Sequence, residues 1–123
     1  MRNIGIAGFG TVGQGFFSQI NKNFKNFKVI QIAVKNVKKK RKINLKNIKV
    51  TSKVQELAIN PNIQVLVECI GGSSGAAYKL VKTAIENKKH IITANKALLA
   101  IHGNYLVKLA EKNNVSIRYA AAI

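Results

Sequence analysis

The stretch Asn3–Gly15, "NIGIAGFGTVGQG", decides how the rest of this chain is read. Asn3–Ala7 is a short strand running into glycines, and Thr11–Asn21 then has Val12, Phe16, Phe17 and Ile20 at helical spacing. Between them lies Gly8-Phe9-Gly10-Thr11-Val12-Gly13, a G-x-G-x-x-G at a strand-to-helix junction. A lone match of this kind carries little weight. The strand before it and the helix after it supply the context that its mechanism requires. Gly8 suits a tight turn, Gly10 lets the backbone approach a pyrophosphate with no Cβ in the way, and Gly13 lets helix and strand pack closely. The helix start then offers unpaired N–H groups and a partial positive charge to phosphates.

Outward from the motif, apolar runs of strand length alternate with segments of helical period, the pattern of a parallel α/β sheet. Phe27–Val34 ("FKVIQIAV") is a second strand, and Ile48–Val50 is a short extended piece. Ser52–Ile59 reads as an amphipathic helix with Val54, Leu57 and Ala58 inward, stopped by Asn60-Pro61. Ile63–Ile70 ("IQVLVECI") is nearly all apolar, as a central strand covered on both faces should be. After Gly71-Gly72, Ser73 or Ser74 can cap a helix that continues to about Asn87, with Ala77, Leu80, Val81, Ala84 and Ile85 on one side. Strand His90–Ala94 follows, then helical "NKALLAI", a break at Gly103, a helix from about Asn104 to Lys112, and a final strand "VSIRYAAAI".

Composition bounds the function. The chain has 123 residues, which fits one domain able to bury roughly 65–70 % of its unfolded surface. No apolar run approaches the roughly 18 residues that a membrane span needs, and the glycine-broken start is not a secretory signal. A single cysteine, Cys69, excludes an internal disulfide framework and a multi-cysteine metal site, and a reducing cytoplasm is expected. Charge is the odd feature: 21 Lys and Arg against 4 acids, a formal +17. Taken alone, it predicts attraction to polyanions. Yet 18 of the 21 are Lys, beside 16 Ile and 14 Asn, a bias that an AT-rich coding sequence favours. A nucleic-acid module would interleave aromatics with its cations, whereas aromatics make up only 7 % here and most sit at core spacing.

The charge run begins where the second strand ends, in "AVKNVKKKRK", residues 33–42. Roughly twenty residues past such a glycine turn, an acid would bond the ribose 2′-OH of NAD, whereas a cation would accept the 2′-phosphate of NADP. Lys35 and Asn36 stand there, followed by Lys38, Lys39, Lys40, Arg41 and Lys42, with no carboxylate among them. NADP is therefore the expected cofactor, with NAD the other dinucleotide that the glycine motif accommodates. Lys35 is the residue assigned to the 2′-phosphate, and Lys38–Lys42 read equally as a supporting field or a solvated loop.

From Val65 onward, "VLVECIGG" (Val65–Gly72), "HIITANKALLAIHG" (His90–Gly103) and "LAEKNNVSIRYAAAI" resemble the nucleotide-binding half of homoserine dehydrogenases, as does "GIAGFGTVGQG" at Gly5–Gly15. The resemblance covers essentially the whole chain and is weakest over Asn36–Lys49. It implies an α/β fold of the Rossmann type, a doubly wound, mostly parallel sheet with helices on both faces, over residues 1–123. It also implies reversible oxidation of L-homoserine to L-aspartate 4-semialdehyde with NAD or NADP. By the same likeness, Lys96 in "TANK" is the catalytic candidate, beside nicotinamide and substrate at a helix start. Gly71, Gly72 and Ser73 would border the nicotinamide ribose, and Thr93, Ala94 and Asn95 would line the next strand end.

Other residues have plainer readings. Glu68, the one acid in an apolar strand, needs partners, and backbone N–H groups of its own loop are preferred over a catalytic role. Cys69 reads as a small buried apolar residue, and His102, beside Gly103, as stabilising a helix end rather than binding metal. Three departures from the family's pattern stand out: Gly75 where proline is usual, Ala120 where Glu is frequent, and an end at Ile123 before an expected G-G-x-P turn. The homoserine-binding residues, a second catalytic lysine and the dimer-forming sheet of the family lie later. A fragment that binds cofactor without turning over is expected, with homo-oligomerisation left to the missing domain. Another amino-acid dehydrogenase, such as an aspartate dehydrogenase, is the alternative enzyme reading.

Overall fold

A computed structural model describes residues 2–38, 45–72 and 75–120. Its elements run β1 (Arg2–Ala7), α1 (Thr11–Asn23), β2 (Phe27–Ala33), β3 (Lys49–Thr51), α2 (Gln55–Ile59), β4 (Val65–Glu68), α3 (Gly75–Glu86), β5 (His90–Thr93), α4 (Lys96–Lys112) and β6 (Ile117–Tyr119). The strands form one sheet in the order β3-β2-β1-β4-β5-β6, and every pairing is parallel. This is the order of a Rossmann-type α/β fold. The order in which strands are added reverses between β1 and β4, which pair in parallel with Ile4 opposite Val65 and Ala7 opposite Glu68.

Alternation along the strands sends successive side chains to opposite faces, so each strand feeds two cores. On one face Leu66, Ile91 and Ala7 meet α2, α3 and α4 through Leu57, Leu80, Ile85, Leu98 and Leu106, all fully buried. The other face carries Ile4, Ile6, Val65 and Val67 against Phe16, Phe17 and Ile20 of α1. Burial of each Leu, Ile, Val or Phe side chain among these contributes about 1.5–3 kcal/mol. Beside α1, an apolar groove of about 660 Å³ runs over β4, β5 and β6, floored by Val65, Val67 and Ile92. Among the described residues, no helix is long and apolar enough to cross a membrane.

Several expected boundaries shift. The apolar run Ile63–Ile70 is strand over Val65–Glu68, with backbone bonds from Gln64 to Asn3 and from Cys69 to Ala7 flanking it, while Ile63 belongs to the turn entering the strand and Ile70 to the loop leaving it. The helix expected from Ser52 starts at Gln55. Val12 does not face the core: it is 47 % exposed, because Gly13, Phe16, Phe17 and Ile20 define the inward stripe and Val12 lies one residue off it. Gly103 breaks nothing, and α4 runs unbroken through it for 17 residues. A mid-helix glycine costs only about 1 kcal/mol, less than the burial of Leu98, Leu106 and Ala110 on either side returns. His102 is consequently mid-helix, stacked on Tyr78 with ring centroids 4.2 Å apart. Ser73, Ser74, Lys39–Lys42 and the end of the last expected strand lie outside the described residues.

Two internal side chains tie the amino edge of the sheet. Lys89 is 2 % exposed and donates to the carbonyls of Asn60 (2.6 Å) and Ile63 (2.9 Å), its pKa pushed down by burial. The His90 Nδ1 accepts the Ser116 N–H at 3.1 Å, joining β5 to the start of β6. Burial first, and the Arg2 charge second, lower the His90 pKa from its ordinary 6.5. Below that pH the unfolded chain takes up a proton that the folded chain resists. Stability should therefore fall as pH drops from about 6.5 through the depressed folded value, and be unaffected above. Urea denaturation at about pH 7.5 and about pH 5 should show this loss, and His90→Gln should reduce it. An identical pH slope in the variant would refute the assignment.

Candidate functional site

The carboxyl ends of β1, β2, β4 and β5 meet at one edge, and the loops leaving them build a crevice at the β1/β4 switch point, where such sheets take ligands. The glycine turn forms its first wall. Gly8 has φ +94° and donates its N–H to the Ala33 carbonyl at 2.9 Å, which brings the end of β2 against the turn. A Cβ on Gly8 would come 2.7 Å from the Cys69 carbonyl oxygen. The Gln14 amide donates to the Phe9 carbonyl at 3.1 Å and closes the turn from the helix side.

The six motif residues differ in what they present. The Phe9 ring is buried, edge-on to Phe17 at 5.8 Å, so only its backbone lies at the turn. Gly10, Thr11 and Val12 are exposed, and no atom lies within 4 Å of where a Gly10 Cβ would be. Gly10 is also the N-cap of α1 and supplies no capping side chain. The helix thus offers its first amides to an acceptor from outside, beside a backbone with clear space around it. These residues fit a dinucleotide pyrophosphate.

Lys35 is exposed, two residues past β2 and on the same edge as the turn. The preceding Val34 N–H is bonded to the Thr51 carbonyl at 2.8 Å, and Lys38 N–H to Asn36 Oδ1 at 3.0 Å, so the backbone on both sides of Lys35 is held. Lys38 is exposed as well.

The second wall is a ring of hydrogen bonds. Glu68, fully buried at the end of β4, accepts the N–H groups of Ile70 (2.9 Å) and Gly71 (3.1 Å) through Oε2. The expected backbone partners are therefore present. Sequence reasoning missed a third donor: the Thr93 hydroxyl, 2.6 Å from Oε1. Thr93 Oγ1 in turn accepts the Asn95 N–H at 3.0 Å. Asn95 caps α4 by accepting the Leu98 N–H at 3.0 Å, and its amide donates to the Gly72 carbonyl. Gly71 and Gly72, with φ +76° and +78°, take a path that other residues rarely adopt. Lys96 follows Asn95 as the first, exposed residue of α4, while Ala94 is half-buried.

Cys69 is half-buried rather than enclosed, and its thiol is pushed up to about 12 by burial and by neighbouring Glu68. It is therefore a thiol and not a nucleophile at neutral pH. No group of three or more His, Cys, Asp or Glu side chains among the described residues could hold a metal ion.

Strand order, glycine turn and crevice together define a nucleotide-binding domain of the Rossmann type. The family model described as homoserine dehydrogenase, NAD binding domain, matches residues 8–120. The chain belongs to the homoserine dehydrogenase family, in its NAD-binding domain. It is 38 % identical to the homoserine dehydrogenase of Pseudomonas aeruginosa and 31 % identical to that of Bacillus subtilis, in each case over 98 % of this chain. Among solved structures, the Staphylococcus aureus homoserine dehydrogenase at pH 6.0 superposes with a TM-score of 0.86 at 36 % identity over 98 % of this chain. That from Thiobacillus denitrificans gives 0.86 at 31 % identity over 96 %. The chain spans 29 % of the length of the two curated relatives and 32 % and 29 % of the two solved chains.

Proposed function

We propose that this chain is the cofactor-binding half of an enzyme that transfers hydride reversibly between L-homoserine and L-aspartate 4-semialdehyde, a step toward threonine, methionine and isoleucine. The observation that carries the reading is the exposed Gly10–Val12 turn on the same sheet edge as Lys96, in a chain of this family. The bound nicotinamide would supply the hydride chemistry. Gly8, Gly10 and Gly13 with the α1 amides of Thr11 and Val12 would hold the pyrophosphate, and Gly71, Gly72, Ser73, Thr93, Ala94 and Asn95 would border the nicotinamide end. Lys96 would place an ammonium beside the substrate oxygen, polarising it as the aldehyde forms or taking part in the accompanying proton transfer. Substrate binding and self-association would belong to a further domain, so this chain alone would bind cofactor without turnover, in the cytoplasm.

NADP is the proposed preference. Residues 34–38 hold Lys35 and Lys38 and no acid, and a cation there suits a 2′-phosphate. Calorimetric titration should give tighter binding for NADPH than for NADH. Lys35→Asp should weaken NADPH about tenfold or more, the scale of one lost charge-assisted contact, with little effect on NADH. Equal affinities in the parent chain would overturn the preference. An equal loss for both cofactors in the variant would reduce Lys35 to general charge.

A further inference from the structure

The ring through Glu68 has a feature that ordinary packing does not require. A fully buried carboxylate costs several kcal/mol unless hydrogen bonds compensate it, and this chain has only 4 acids to place. Glu68 makes all three of its described bonds at the crevice edge. Two go to its own loop and one to Thr93, which lies 25 residues away in sequence. Asn95 then returns from the start of α4 to the carbonyl of Gly72. The circuit Glu68, Ile70–Gly71, Gly72, Asn95, Thr93 closes on itself. It fixes the left-handed loop after β4 against the first turn of α4, where Lys96 begins the helix.

The glycine turn is outside this circuit. It is held by Ala33, Cys69 and Gln14, through bonds that do not include the Glu68 carboxylate. The turn meets the loop after β4 through the backbone of Cys69 and Ile70, whereas the Glu68 side chain reaches that loop and Thr93.

We infer that Glu68 is a positioning residue, which sets the nicotinamide-side loop and the Lys96 helix start relative to each other while leaving the adenosine side untouched. The inference rests on the dinucleotide reading above. It differs from a merely structural role in what it predicts for a divided ligand. A general loosening weakens the whole cofactor and its adenosine half together, whereas loss of the ring weakens only contacts made beyond the pyrophosphate.

The test is titration of this chain with NADPH and with 2′,5′-ADP, the adenosine half of that cofactor, and in parallel with NADH and ADP. Glu68→Ala should weaken the intact dinucleotide about tenfold or more, the scale of leaving buried donors unmatched, and leave the adenosine half within about twofold. Should Glu68→Ala not fold, Thr93→Val decides: it keeps the side-chain shape, breaks the ring at its hydroxyl, and should give the same split at smaller size. Thr93→Ser, which restores the hydroxyl, should recover dinucleotide affinity. Equal losses for both ligands, or none for either, would overturn the positioning role while the dinucleotide reading stands. A parent chain that binds neither ligand would overturn both.

Discussion

Replacing Gly13 with alanine should cost this chain about 3–5 kcal/mol, enough to unfold a domain of ordinary stability. A Cβ at this position would overlap the carbonyl oxygen of Gly8. The obstacle is backbone, so no side-chain rotation relieves it. Relief requires α1 to move off β1, which would separate Phe16, Phe17 and Ile20 from Ile4 and Ile6. Gly10→Ala is the contrast, because nothing lies within 4 Å of its added methyl. It should lose only a few degrees of melting temperature, the ~0.5–1 kcal/mol by which alanine falls below glycine at a helix cap, yet lose affinity for a pyrophosphate brought against it. Thermal denaturation by circular dichroism, paired with cofactor titration, separates the two glycines. A Gly13→Ala chain as stable as its parent would refute the close-approach account.

Lys96→Ala, introduced into an enzyme that carries this domain together with a substrate domain, should lower kcat by about 10²–10⁴-fold, the usual contribution of a positioned proton-transfer group. The domain should keep its fold, because Lys96 is exposed and the cap of α4 is made by Asn95. Dinucleotide KM should change little, since the pyrophosphate and 2′-phosphate contacts are proposed to lie elsewhere. Steady-state kinetics with both substrates varied would measure this. A variant with unchanged kcat would remove Lys96 from the chemistry and leave the cofactor assignment standing.

Strands and inward helical stripes were legible in the sequence wherever burial was continuous. Ala77, Leu80, Val81, Ala84 and Ile85 all face the core as their spacing implies. Two features depended on quantities that periodicity does not contain. The helix through Gly103 persists because packing outweighs one unfavourable residue, a balance set by partners distant in sequence. Val12 turns outward because Gly13 is the residue that packs on the Gly8 carbonyl, and that contact sets the rotation of α1.

The candidate site divides in the same way. Its glycine turn is local and readable from one stretch. The link from Glu68 to Thr93 is not, since nothing in either residue's neighbours names the other. Lys89, inside the run "NKKH", carries no mark that separates it from its exposed neighbour Lys88.

The all-parallel sheet has a consequence for how the chain acquires its shape. None of its strands can begin as a hairpin, because parallel neighbours need a crossover between them. β1 is the first strand in the chain, yet its second partner arrives only with β4, and the Asn3 N–H bonds to Gln64 across 61 residues. Long-range pairings of this kind slow folding, since loop closure must precede the contacts that reward it. During synthesis, the apolar edge of β1 therefore waits unpaired until Val65–Glu68 has emerged, and that interval is when the nascent chain is most open to association with other apolar segments.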